Sequence, residues 1–237
     1  MAVGLALLAG VGVALVLNGT LLANRPSRSA YPVRGIDVSA YQGEIDWPLM
    51  AAQGIDFAFV KATEGSGFVD PRWAANREGS QAAGVVIGAY HFFSFDSPGA
   101  KQAAWFIAHV PRQAGALPPV ADLELYGDYR QEPPDRAHVV TELTAFLEAL
   151  RAAYGVTPII YCDVTTLRRY LADDFADYPL WIRDVHFAPT LPEGRSWTFW
   201  QYADRGRLDG YQGPEKFVDL DVFAGTRAEF EALRATG

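Results

Sequence analysis

Pro118-Pro119-Val120-Ala121-Asp122-Leu123-Glu124-Leu125 reads as a short buried strand entered through prolines and left through acids. Valine and leucine suit a pleated, packed surface, and side chains two apart share one face of a strand, with their Cα atoms about 7 Å apart. Asp122 and Glu124 therefore point one way, and Ala121, Leu123 and Leu125 point the other. In a site of low dielectric each carboxyl raises the proton affinity of the other, so one of the two stays protonated near neutral pH. A structural ion pair with a basic partner is the alternative use of such acids.

The same theme recurs on both sides of this segment: a short β-branched or aromatic run, then an Ala-rich stretch with helical spacing. Strands are expected at residues 35–39, 56–62, 85–92, 119–125, 158–162, 180–183, 197–202 and 217–222. Helices are expected at 47–53, 71–83, 98–109, 134–154 and 164–171, with a terminal one at 226–235. Strand and helix in alternation give a parallel sheet, and eight strands without a second block of helices point to a barrel. Between Arg183 and Trp197, and again between Tyr202 and Phe217, the chain is rich in Pro and Gly and too broken for a good helix. The expected fold is α/β, a modified TIM-like β/α barrel with regular β/α units first and mostly β at the end.

The chain has 237 residues, half of them apolar, enough for one domain with a substantial core. A formal charge of -8 and the lack of a Lys/Arg cluster exclude a nucleic-acid binder. The single cysteine, Cys162, rules out an intrachain disulfide, and its apolar setting predicts a buried structural thiol. Residues 2–23 carry no charge and are long enough to span a bilayer, so residues 1–23 are expected to be a signal peptide or membrane anchor. Residues 24–33 then form a polar linker, and residues 34–237 form the catalytic barrel. The protein is expected to be exported to the periplasm or cell envelope, anchored there or free, or secreted. Membrane contact would be limited to the N-terminal segment.

Barrels of this kind carry their chemistry at the C-terminal ends of the strands. Those ends supply Asp37 and Ser39, Lys61 and Glu64, Tyr90 and His91, Asp122 and Glu124, Tyr161, Arg183, Gln201, and Asp219 with Asp221. Any one of these has a structural explanation, but together they predict a polar, carboxylate-rich pocket. Aromatic residues lie beside them, among them Tyr41, Tyr90, Phe92, Trp181 and Trp200. Flat apolar rings next to carboxylates suit a carbohydrate, whose C–H faces stack while its hydroxyls form hydrogen bonds. The four histidines form no His-x-His and no His-Glu-x-x-His, which leaves zinc with little support. An all-carboxylate magnesium site from Asp37, Asp122, Glu124 and Asp219 stays open on residue type alone. No Gly-x-Ser-x-Gly elbow occurs.

Taken in order, Gly35-Ile36-Asp37-Val38-Ser39-Ala40-Tyr41-Gln42-Gly43, Ile45-Asp46-Trp47, Phe59-Val60-Lys61-Ala62-Thr63-Glu64-Gly65, Gly88-Ala89-Tyr90-His91-Phe92, Asp122-Leu123-Glu124, Ile160-Tyr161, Leu180-Trp181-Ile182, Trp200-Gln201-Tyr202 and Val218-Asp219-Leu220-Asp221 resemble the motifs of family 25 of the glycoside hydrolases, the Chalaropsis-type lysozymes. The resemblance spans nearly all of residues 34–225. It implies a modified β/α barrel that hydrolyses the β-1,4 bond between N-acetylmuramic acid and N-acetylglucosamine in peptidoglycan, with no cofactor and no metal. By position, Glu124 resembles the general acid, Asp122 the residue that orients the 2-acetamido group, and Asp37 and Asp219 the remaining acids of the cleft. Tyr41, Lys61, Glu64, Tyr90, Tyr161, Trp181, Arg183 and Gln201 are expected to bind substrate.

Spacing alone leaves open whether the route inverts or retains configuration. The chain departs from the family pattern at Arg183-Asp184-Val185, where a small residue and an aromatic one usually follow Trp-Ile. Arg183 is expected to meet a substrate carboxylate or to neutralise Asp184. Two other functions fit the same residues: a peptidoglycan-binding protein without activity, and a barrel glycosidase acting on chitin.

Overall fold

The computed structural model describes residues 19, 21–172 and 174–234. It contains nine strands: β1 (Arg34–Val38), β2 (Phe57–Glu64), β3 (Phe68–Val69), β4 (Val86–Phe92), β5 (Val120–Asp122), β6 (Ile159–Asp163), β7 (Leu180–Arg183), β8 (Phe199–Gly206) and β9 (Val218–Phe223). All but β3 form a closed barrel, because β1 pairs in parallel with β2 on one side and antiparallel with β9 on the other. The pairings β2–β4, β4–β5, β5–β6, β6–β7 and β7–β8 are parallel. β9 runs antiparallel to both of its neighbours. No helix intervenes between β8 and β9, so the chain folds straight back, as a short connection requires.

The eight expected barrel strands are all present. β3, a two-residue strand hydrogen-bonded antiparallel to the end of β2, was too short to show a period. Helices Trp47–Ala52, Trp73–Ala82, Gly99–His109 and Arg136–Tyr154 follow the early strands. Asp135 begins the longest of them by accepting a hydrogen bond from His138 N at 3.0 Å, and Gly155, at φ 72°, ends it in the left-handed conformation. The expected helix at 164–171 is instead one α turn, Val164–Thr166, running into a π turn, Leu167–Leu171.

Alternation along the strands separates two cores. Ile36, Ala58, Val60, Ala121, Ile160 and Ile182 face outward, where Leu143, Phe146, Leu147 and Leu150 of the long helix cover the sheet. Phe57, Phe59, Val120, Ile159, Trp181, Phe199 and Phe223 face inward and fill the barrel. Gly35 makes room for this filling, since a Cβ there would lie 2.3 Å from the Phe57 ring. With the lower barrel packed by aromatic rings, only the upper ends of the strands are left to line a cavity. Cys162 is fully buried, and burial pushes its thiol pKa up, as expected of a structural cysteine.

Asn24 and Tyr31 of the segment before β1 lie against β8 and its flanks. Asn24 Nδ2 donates to the carbonyls of Asp184 and Tyr202 at 3.1 and 3.2 Å, and Tyr31 packs on Trp197 and Trp200. Most of the charge-free N-terminal stretch lies outside the described residues. Among the described residues no helix is long and apolar enough to cross a membrane.

Candidate active site

At the mouth formed by the C-terminal ends of β1 to β8, the inward side chains change from aromatic to polar and border an open cleft of about 620 Å³. The cleft is lined by Asp37, Tyr41, Lys61, Tyr90, Asp122, Glu124, Tyr161, Trp181, Arg183, Gln201 and Asp219 among the expected residues. Glu64 does not line it, but its Oε2 accepts from Lys61 Nζ at 2.6 Å and holds that ammonium 5.0 Å from the Phe92 ring centroid. Asp219 reaches the mouth by the opposite route to the one expected. β9 is antiparallel, so Asp219 sits near the start of its strand, paired across from Asp37 at the end of β1. His91 points outward instead. Its Nδ1 pairs with Thr63 Oγ1 at 2.7 Å, its Nε2 pairs with Gln102 Oε1 at 3.0 Å, and its ring stacks on Phe146.

Asp122 ends β5, and Glu124 follows two residues later, past the last ladder bond but still directed into the cleft. Burial raises the pKa of Asp122 well above the usual carboxylate range, and the neighbouring Glu124 charge raises it further, while Lys61 opposes both. Asp122 Oδ1 has no hydrogen-bond partner among the described residues. Glu124 is also raised by burial, with Arg183 and the Tyr161 hydroxyl opposing. That hydroxyl stands between Glu124 and Gln201 Oε1, which it meets at 3.0 Å, and its single proton serves one of them at a time.

On the other wall, Gln201 Nε2 donates to Asp37 Oδ2 at 2.7 Å. Asp221 lies behind Asp37, fully buried, with Trp181 Nε1 donating to its Oδ1 at 2.8 Å. Its Oδ2 meets no donor among the described residues. It can bond the Asp37 carboxyl only when a proton lies between the two acids. Burial, then the charge of Asp221, places Asp37 well above the ordinary carboxylate range; burial, then the charge of Asp37, does so for Asp219, and burial does the same for Asp221.

Tyr41, 68% exposed, stands on the rim. The cleft residues not singled out in the sequence include Asp204, Arg205, Glu215 and Phe217. β8 runs four residues beyond its expected end, and the alternation there carries Asp204 and Arg205, whose polar character hid the strand. Arg183 does not neutralise Asp184. It bonds Asp204 Oδ2 at 2.9 Å, whereas Asp184 Oδ1 accepts from the backbone N–H groups of His186 and Phe187.

A mouth lined by acids, amide and aromatics above a packed barrel is what a glycosidase cleft requires. The model of the glycosyl hydrolases family 25 matches residues 36–211. The chain belongs to family 25 of the glycoside hydrolases. As a family 25 enzyme it is a glycoside hydrolase with a closed eight-stranded barrel. It is 34% identical over 220 residues to Lysozyme M1 of Streptomyces globisporus, an alignment that covers 85% of this chain and 71% of that one. Among solved structures, a family 25 glycosyl hydrolase from Bacillus anthracis superposes with a TM-score of 0.84 at 44% identity, covering 90% of this chain and 97% of the other. The bacterial lysozyme from Streptomyces coelicolor gives 0.78 at 33% identity, with 86% and 97% covered. The family match ends before Asp219 and Asp221, so their place in the site rests on the β1–β9 register.

Proposed function

We propose that the enzyme is a muramidase that cleaves the β-1,4 bond between N-acetylmuramic acid and N-acetylglucosamine in peptidoglycan, with Glu124 as general acid. The observation that carries this reading is the placement of Glu124. It is a half-buried carboxyl beside Asp122 in an open cleft, with a proton affinity raised by burial. A carboxyl that keeps its proton near neutral pH can give it to the glycosidic oxygen as the C1–O bond breaks. Positive charge then builds on the sugar ring and is stabilised by the negative charge shared among the neighbouring acids. Asp122 orients the 2-acetamido group, Asp37 and Asp219 line the opposite wall, and Tyr41 and Tyr90 offer rings to the sugar faces, while Trp181, almost fully buried against Phe59 and Tyr161, supports the floor of the cleft. Lys61, held by Glu64, and Gln201, held by Tyr161, position hydroxyl and carbonyl groups. The relatives named as lysozymes support this substrate.

Glu124→Gln is expected to lower hydrolysis of purified cell wall by about 10³-fold, the scale of a lost general acid. Its melting temperature should be unchanged or slightly raised. Wall turbidity and product mass measure the first, and thermal unfolding the second. A variant that still releases disaccharide-repeat fragments at the parent rate removes Glu124 from this role. The anomer of the first product, read by NMR, reports the stereochemical route. The charge-free stretch at residues 2–23 supports work outside the cytoplasm, with a cleaved leader and a retained anchor separated by the N-terminal sequence of the mature chain.

A further inference from the structure

Arg183 leaves the end of β7 and lines the cleft, with its side chain 34% exposed. A guanidinium carries five N–H donors in a planar fork. Among the described residues Arg183 makes a single hydrogen bond, to Asp204 Oδ2 at 2.9 Å. Asp204 is not devoted to it, because Asp204 Oδ1 also lies 3.9 Å from Arg205 Nε. The Asp204 carboxylate is thus shared between two guanidinium groups, and it occupies only part of the Arg183 fork. Across the cleft, the Lys61 ammonium is already paired with Glu64 Oε2 at 2.6 Å. Glu124 lies close enough for its charge to be felt at Arg183, yet no hydrogen bond joins them among the described residues.

We propose that the unused donors of Arg183 dock a carboxylate carried by the glycan strand, either the free lactyl carboxylate of a muramic acid or a carboxylate of its stem peptide, and that this contact makes the enzyme prefer anionic strands to neutral ones. The proposal rests on the muramidase reading. A planar guanidinium takes a carboxylate through two parallel N–H···O bonds, a geometry that an ammonium cannot reproduce. The partial burial of Arg183 reduces competition from water, and the Asp204 contact fixes the fork before substrate arrives. The cost of ordering that side chain is therefore met in the folded protein.

The test uses the full chain and soluble glycans of equal length in four forms: peptide-free with free lactyl carboxylates, peptide-free with those carboxylates converted to methylamides, peptide-bearing, and peptide-bearing with the peptide carboxylates amidated. The parent enzyme is expected to show a kcat/KM about tenfold higher on the carboxylate member of one pair, and the pair that responds identifies the source of the carboxylate. In Arg183→Met, which keeps the apolar stem, that ratio should fall to within about twofold, through KM rather than kcat. Arg183→Lys should recover only part of it. Equal rates of the parent enzyme within both pairs would overturn the proposal. So would an Arg183→Met variant whose rates fall by one common factor on all four glycans with a displaced pH profile, since that would assign Arg183 to Glu124 alone. Failure of the parent enzyme to cleave any of the four would overturn the muramidase reading itself, and the proposal with it.

Discussion

Asp221 illustrates how the site is supported at the scale of one residue. It is fully buried, lies behind the cleft, accepts from Trp181 Nε1, and leaves its second oxygen without a donor among the described residues. Burial raises its proton affinity, so in the ionised state it weakens the fold, and the loss is recovered as pH falls through its folded value. Asp221→Asn keeps an acceptor for Trp181 and removes the charge. Its melting temperature at pH 7 should exceed that of the parent by a few degrees, and the gap should close towards acidic pH. Asp221→Leu strands the indole N–H and should be destabilised by about 1–3 kcal/mol. Thermal unfolding of both variants between pH 4 and 8 decides the matter, and an Asp221→Asn melting point below the parent would contradict it. Asp122, Glu124 and Asp37 were legible because each interrupts an apolar alternation. Asp204 and Arg205 were not, because two charged residues at the end of a strand read as a loop.

At the scale of elements, β4 shows why a strand-end histidine need not belong to a cleft. Tyr90 faces the barrel, so His91 must face the helices, where Thr63 and Gln102 hold both of its ring nitrogens. Burial lowers its pKa to about 4. The unfolded chain, with a histidine value of about 6.5, takes up the proton first. Stability from the neutral ring is therefore complete above about pH 6.5 and is lost as pH falls towards 4. The His91 ring signals in NMR should keep their neutral positions at pH 5.5. A His91 titration midpoint near 6.5 would refute this. The strands and most helices were legible from periodicity and proline punctuation. The direction of β9 was not, since a strand pairs equally well either way and only the missing helix before it points to antiparallel.

For the whole molecule, closure depends on the two ends of the barrel, with β1 holding β2 and β9 together. The segment before β1 adds to that closure from outside, through Asn24 and Tyr31 against β8 and its flanks. Asn24→Ala removes a donor from the Tyr202 and Asp184 carbonyls, the second of which keeps Trp200 Nε1 at 2.8 Å, and should cost about 1 kcal/mol in urea unfolding, with wall hydrolysis at low temperature retained. An unchanged midpoint would show that the strap carries no stability. That packing could not be read from a polar, proline-containing stretch, which looks the same whether it lies on a surface or hangs free.

The pairing of the first strand with the last also has a temporal side. Asp37 is made among the first residues of the barrel and Asp219 among the last, and they meet only across the β1–β9 seam. A chain still emerging from the ribosome therefore holds an unfinished set of acids until β9 has been made and has paired with β1.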